Sequence, residues 1–331
     1  MKSLIKNKIE KMALVAMVLF SLSSCNKEEP TIKSDVPTST QFNAMREGHV
    51  TLLKKNAQFR AETGTVYTSD KGVKLTIPAN ALTLDGNLVT GNVDLEYIEI
   101  LDKGHMLTTL QTTMGVLPSG NKSMLLSGGE VMVNITKDGR TVTPILPMPI
   151  EIPTALTGDT RGDMDLFDGV DSTGKLNWIK NPNADVTVKD VQIPGGGSQS
   201  VYSTVISKFG WTNVDRFYSD PRPKTQILVS VPEGYNDGNS AVCLSYDGEV
   251  NSALARLDRY DGIAKLFSEH YGQIPVGLAC HIIYMTATTD GKVRYAIKPV
   301  TITAGATYNF TLAETSVTTE SALVTTINAL P

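Results

Sequence analysis

Aromatic residues and histidines are scarce in this chain of 331 residues: Phe, Trp and Tyr make up 6%, two residues are Trp and four are His. The four, His49, His105, His270 and His281, form no His-x-x-x-His or other short ligand pair, so the familiar helical zinc patterns are missing. No Gly-x-Ser-x-Gly occurs, which removes the nucleophile elbow of serine hydrolases. Paired carboxylates of glycosidase type cannot be counted out on an acidic surface, but no aromatic-rich stretch is there to line a sugar cleft. Basic excess is lacking too. Lys and Arg number 30 against 34 Asp and Glu, a formal charge of −4, which gives no footprint for nucleic acid. The charged fraction, 19%, is ordinary for a folded body, and the length allows two domains.

What is present begins at the N-terminus. Lys2, Lys6, Lys8 and Lys11 precede an apolar run, Met12 to Leu22, that is too short to span a bilayer as a stable helix. Small residues and a cysteine follow. Leu22-Ser23-Ser24-Cys25 resembles the lipobox of bacterial lipoproteins, which implies cleavage before Cys25, lipidation of its sulfur and attachment to the outer membrane through that anchor. Residues 1–24 then form a signal peptide. They carry four lysines and one glutamate, so their removal turns −4 into −7. Asn26-Lys27-Glu28-Glu29 resembles the surface-export signal of lipoproteins in one Gram-negative phylum and implies a chain facing the cell exterior. Residues 25–40, polar with Pro, Ser and Thr, read as a flexible tether.

From Gln58 onward the texture is that of strands. Phe42, Met45, Leu52 and Leu53 permit a short helix before it, although Gly48 interrupts the pattern. Val73-Lys74-Leu75-Thr76-Ile77 alternates and ends at Pro78, which lacks a ladder donor. Val93 to Ile98, Met132 to Ile135 and Pro149 to Pro153 alternate likewise, with turn signals at Asp85-Gly86 and Asp138-Gly139. Gly72-Val73-Lys74-Leu75-Thr76-Ile77-Pro78-Ala79-Asn80-Ala81-Leu82, then Gly91 to Leu95, resembles the start of a ZU5-type domain in the form found in cartilage intermediate layer-type proteins. Gly128-Gly129-Glu130 and Pro149 to Pro153 fit the same plan. The resemblance covers residues ~58–155, about one domain, and implies a β-sandwich for protein–protein contact. The His-Phe-Ser self-cleavage site of some members is missing, so that activity does not carry over.

Asp163, Asp165, Asp168 and Asp171 suggest an oxygen-ligand calcium site. The spacing slips from the EF-hand pattern after Asp165, and Gly174 stands where its bidentate Glu belongs, so a pair of turns competes with a metal loop. Arg161-Gly162-Asp163 resembles an integrin-binding tripeptide, and Asp171-Ser172-Thr173 an O-glycan acceptor. Gly195-Gly196-Gly197-Ser198 is the expected hinge between halves. No Lys-Ser/Thr follows, so it is no phosphate loop. A second strand-rich module runs from Tyr202. In it, Trp211, Asp215 and Arg216 form the candidate ligand or interface cluster, a carboxylate–guanidinium pair beside an aromatic platform. Cys243 and Cys280 lie on expected strands, where export permits a disulfide if the Cα atoms approach closely enough. His281 alternates with apolar neighbours and reads as a hydrogen-bonded sheet histidine.

The sequence therefore reads as all-β, two β-sandwich domains in tandem after the signal peptide and tether. The expected bodies are 41–195, ZU5-like with an extension, and 200–316, followed by a tail or short helix at 317–331 with Leu323, Ile327 and Leu330 on one stripe. The expected function is non-catalytic, with no cofactor: a cell-envelope scaffold that binds a protein or glycan. The alternatives are a hydrolase with its site on loops of the second body, and an envelope component that assembles by strand exchange through 307–312.

Overall fold

The computed structural model describes residues 35–172, 175–193, 195–249, 253–269 and 272–331. Cys25, the lipobox, most of the tether and His270 lie outside them, as does the side chain of Asp171. Most described residues with regular structure are in strands, and three α-helices accompany them. Among the described residues no helix is long and apolar enough to cross a membrane.

The long strand Lys122–Lys137 organises the first half. On one side it pairs with Asn92–Ile100, which pairs in turn with the edge strand Lys55–Arg60. On the other side it pairs with Gly210–Phe217, then Asp165–Ser172 and Lys175–Asp185 follow. Met114–Val116 lies parallel to Lys175–Asp185 and antiparallel to the start of Lys122–Lys137, so five strands close into a ring. Leu125, Phe167 and Trp178 fill that ring, joined by Leu176, Trp211 and Phe217. Small residues make the space. A Cβ on Gly169 would stand 2.5 Å from the Trp211 Cβ, closer than packed carbons can come. The Trp178 indole N–H donates to the Thr112 carbonyl at 3.0 Å, so its burial leaves no polar group orphaned.

A second sheet, in the order Thr187–Gln192, Ser198–Ile206, Met148–Pro153, Lys74–Ile77, Thr65–Thr68, faces the first. Alternation puts Val73, Leu75, Ile77, Ile150, Ile152, Tyr202 and Ile206 of one sheet against Val93, Leu95, Val131, Val133, Ile135 and Val214 of the other, one shared core. The strand Lys74–Ile77 ends where Pro78 begins. Asp138 and Gly139 both take positive φ, 51° and 77°, the conformation a two-residue hairpin demands.

The glycine run is not a hinge between bodies. Gly195, Gly196 and Gly197 have φ of 94°, 101° and 93°, and Gln192 pairs with Ser198 across the turn they make. The chain then returns into the same body, because Ser198–Ile206 and Gly210–Phe217 each pair inside the two sheets just described. The first body thus takes in strands as far as Phe217, and the expected boundary at 195–200 is corrected.

The rest forms a five-stranded sheet, Ala255–Arg256, Ser240–Tyr246, Ala279–Ala287, Val293–Thr301, Ser316–Thr318, and a four-stranded one, Arg259–Asp261, Leu266–Ser268, Leu228–Ser230, Thr307–Asn309. Val242, Leu244, Ile282 and Tyr284 of the former pack towards Val229, Phe267 and Phe310. Its other face is covered as well. There Ala241, Cys243, Ile283 and Met285 meet three helices, α1 (Ser39–Leu53), α2 (Lys103–Thr109) and α3 (Glu320–Asn328), together with Ile98 and Ile100 of the first body. This third core belongs to both halves, and Val36–Pro331 form one compact unit.

Thr38 caps α1. Its Oγ1 accepts from the Gln41 amide at 3.2 Å, and the Gln41 side chain accepts from the Thr38 amide at 2.9 Å. The helix runs through Gly48, whose cost of about 1 kcal/mol is offset by burial of Phe42 and Met45. Residues 36–40, expected as tether, are held: Val36 packs on the second body's core, and the Pro37 carbonyl accepts from Asn239 Nδ2 at 3.1 Å.

Candidate functional site

A cavity of about 560 Å³ opens beside α1, at the mouth of the five-stranded ring. Its walls come from elements far apart in sequence. Asn43, Arg46, Glu47 and Val50 follow the helical repeat along one side of α1, Trp211 and Leu176 rise from the ring, Gln111 comes from the segment after α2, and Arg256 from the short strand Ala255–Arg256. Arg256 is 8% exposed, and its Nε has no hydrogen-bond partner among the described residues. Burial lowers its pKa, against the charges of Asp258 and Asp237. Asp258 is itself held by Lys122 at 2.9 Å. Gln111 Oε1 is also buried without a partner. Arg46 Nη1 donates to Asn43 Oδ1 at 3.3 Å, and its guanidinium stands 6.0 Å from the centre of the Phe42 ring. Glu47 and Asp237 are exposed.

Of the cluster read from sequence, only Trp211 lines this cavity. Asp215 is fully buried in the sheet, where Oδ2 accepts from Asn213 Nδ2 at 2.7 Å. The Asn213 Oδ1 accepts from Ser127 Oγ at 2.8 Å, and Ser127 Oγ accepts from the Gly129 amide at 3.0 Å. Arg216 pairs with Asp163 at 3.1 Å. Neighbours on a strand project to opposite faces, which is why Asp215 and Arg216 do not meet. Glu130 lies across from Asn213, fully buried, with neither oxygen bonded among the described residues. Burial first, and then the Asp215 charge, pushes its pKa well above the carboxylate range; burial pushes Asp215 up likewise, with the Ser127 hydroxyl opposing.

The aspartates proposed for calcium lie on or beside the strand Asp165–Ser172 and not in paired turns. Asp163 pairs with Arg216, Asp165 with Lys180 at 2.7 Å and Asp168 with Lys208 at 3.0 Å. Each carboxylate has its own cationic partner, and among the described residues no group of three or more His, Cys, Asp and Glu is disposed to hold a metal. The Arg161 guanidinium is bound to Glu249 at 3.1 Å, so both charged ends of the Arg-Gly-Asp tripeptide are engaged.

The possible Cys243–Cys280 bridge is corrected. Cys243 pairs with Ile283 and Cys280 with Tyr246, an odd offset that sends the thiols to opposite faces of their sheet; both are free. His281 stands across from Ser245 and bonds Asp247 through Nδ1 at 2.8 Å. The Ser245 hydroxyl is buried and has no hydrogen-bond partner among the described residues, the His281 ring included. His105 bonds Asp102 through Nδ1 at 2.7 Å, and His49 Nδ1 lies 3.0 Å from the Thr108 carbonyl oxygen. The His49 contact joins α1 to α2, and the His105 contact closes the first turn of α2 on its own Asp102 cap.

Sequence reasoning missed Arg256, Gln111 and Arg46. No local pattern marks them, and the fold alone brings them to Trp211. No protein-family model and no curated protein sequence matches the chain.

Proposed function

We propose that the chain is a lipid-anchored envelope protein that binds its ligand without transforming it, in the cavity beside α1. The observation that carries this reading is the cavity itself, about 560 Å³, whose wall brings Trp211 together with the polar residues Asn43, Arg46, Gln111 and Arg256. Sites of this kind are concave, of roughly 300–1,000 Å³, with a few convergent polar groups. The anchor rests on the run Met12–Leu22 followed by Leu22-Ser23-Ser24-Cys25. The ZU5-like assignment of residues ~58–155 rests on the proline-ended strand and its paired sheets, and it favours a contact role.

Two measurements test this. A photo-crosslinker placed at the exposed position Glu47 of the full chain on intact cells is expected to give a discrete protein or glycan adduct that Trp211→Ala abolishes. Background labelling alone would remove the binding role. Labelled palmitate is expected to enter the wild type and not Cys25→Ala; equal incorporation would remove the anchor.

A further inference from the structure

We infer that Ser127 and Asn213 react with each other inside the folded chain, joining the strands Lys122–Lys137 and Gly210–Phe217 by an ester with loss of ammonia. This does not rest on the cavity, because both reacting groups belong to the chain and meet as it folds.

The inference starts from a hydroxyl, a carboxamide and two carboxyls enclosed together. Ser127, Asn213, Asp215 and Glu130 are all 0% exposed. Burying so many polar groups at one place is costly, and such a network calls for a reason beyond packing. Ser127 Oγ lies 2.8 Å from Asn213 Oδ1. The carboxamide carbon is one C=O bond further, so it stands within about 4 Å of the hydroxyl oxygen. The Gly129 amide donates to the same Oγ at 3.0 Å, which fixes that oxygen and leaves it a second lone pair for the carbon. A register shift between Asn213 and Asp215, with Gly129 at a φ of 133°, marks the irregularity that turns these side chains towards one another.

The leaving group is prepared as well. Asn213 Nδ2 already donates to Asp215 Oδ2 at 2.7 Å. Burial raises the Asp215 pKa, and the Ser127 hydroxyl, close enough to act on this carboxyl, opposes the rise. Asp215 thus faces both the attacking hydroxyl and the nitrogen that must depart. The step balances within the chain. Ser127 Oγ attacks Asn213 Cγ, the Oγ–Cγ bond forms and the Cγ–Nδ2 bond breaks. Asp215 takes the hydroxyl proton and returns a proton to the nitrogen, which leaves as ammonia, so the carboxyl ends as it began. Fixed geometry stands in for a high reactant concentration, about 10⁵–10⁸ M in well-aligned pairs. Exclusion of water then protects the ester from hydrolysis.

The test is mass spectrometry of the full-length chain purified from membranes and digested with pepsin in acid, where an ester survives. A branched species is expected, joining the peptides that hold Ser127 and Asn213 and lighter than their sum by one ammonia. Mild alkali is expected to separate them, leaving a carboxylate in place of the Asn213 amide. Ser127→Ala is expected to abolish the branched species and the loss of ammonia together. Asp215→Asn is expected to slow linkage by about 100-fold or more. Separate wild-type peptides with the Asn213 amide intact would overturn the inference, and that measurement needs no variant to fold. Loss of ammonia that persists in Ser127→Ala would mean cyclisation of Asn213 on its own backbone and would overturn it equally. Linkage at the wild-type rate in Asp215→Asn would overturn the part played by Asp215.

Discussion

Glu130 and Asp215 are carboxyl groups enclosed by the sheet, and three of their four oxygens are unbonded. Because folding raises both pKa values, the folded state holds protons that the unfolded chain releases above the usual carboxylate range. Their contribution is complete at low pH and is lost as pH rises towards the folded values, at about 1 kcal/mol per pH unit for each proton. Glu130→Gln is therefore expected to raise the melting temperature more at pH 8 than at pH 5; an equal shift at both would contradict the burial account. Gly169 sets another limit. Gly169→Ala drives a methyl into Trp211, and a cost of about 1–3 kcal/mol is expected by denaturant unfolding, with weaker ligand capture because the cavity wall moves. At this scale the sequence was partly readable. Trp211 stands out as an aromatic platform beside an acid and a base, and it does line the cavity. Asp215 and Arg216 were read as a pair from adjacency, which strand alternation undoes. Arg256 and Gln111 carry no local signal, since only the fold brings them to the cavity wall.

The first helix is the element on which the site most depends. Its start is tied to the second body through Asn239, its apolar side lies in the shared core, and Lys54 just past its end pairs with Glu96 of the first body at 2.7 Å. Thr38→Ala removes one half of the capping box. A loss of about 1 kcal/mol is expected from chemical denaturation, with faster amide exchange over 39–45 than over α3. The buried stripe Phe42, Met45, His49 follows the helical repeat, which is why a helix was legible despite Gly48. The strand Gly210–Phe217 was legible as a strand and not as a member of the first body. Alternation of apolar residues says that a segment lies in a sheet and which side faces inward, but not which sheet receives it. The three glycines after Ile193 failed as a boundary for a related reason: a tight hairpin and a flexible linker ask for the same residue.

Across the whole molecule, the decisive feature is the third core, to which both halves contribute. Neither half can unfold without exposing Ile98, Ile100, Ile283 and Met285 to water, so the described unit is expected to melt in one calorimetric transition with equal calorimetric and van't Hoff enthalpies. Two resolved transitions would show that the halves are independent after all. The all-β class was readable because short alternating runs recur with turn residues between them, whereas the merger of two bodies was not, since helices of ordinary amphipathic character gave no hint of what they would join. The same double coverage governs the cysteines. Burial pushes both thiols up to about 12, and each lies behind a different wall of side chains. They stay protonated and out of reach of oxidants or alkylating reagents for as long as the sheet holds together. Their reaction with such a reagent thus becomes a clock for the opening of the entire unit, and Cys243 and Cys280 should keep the same time.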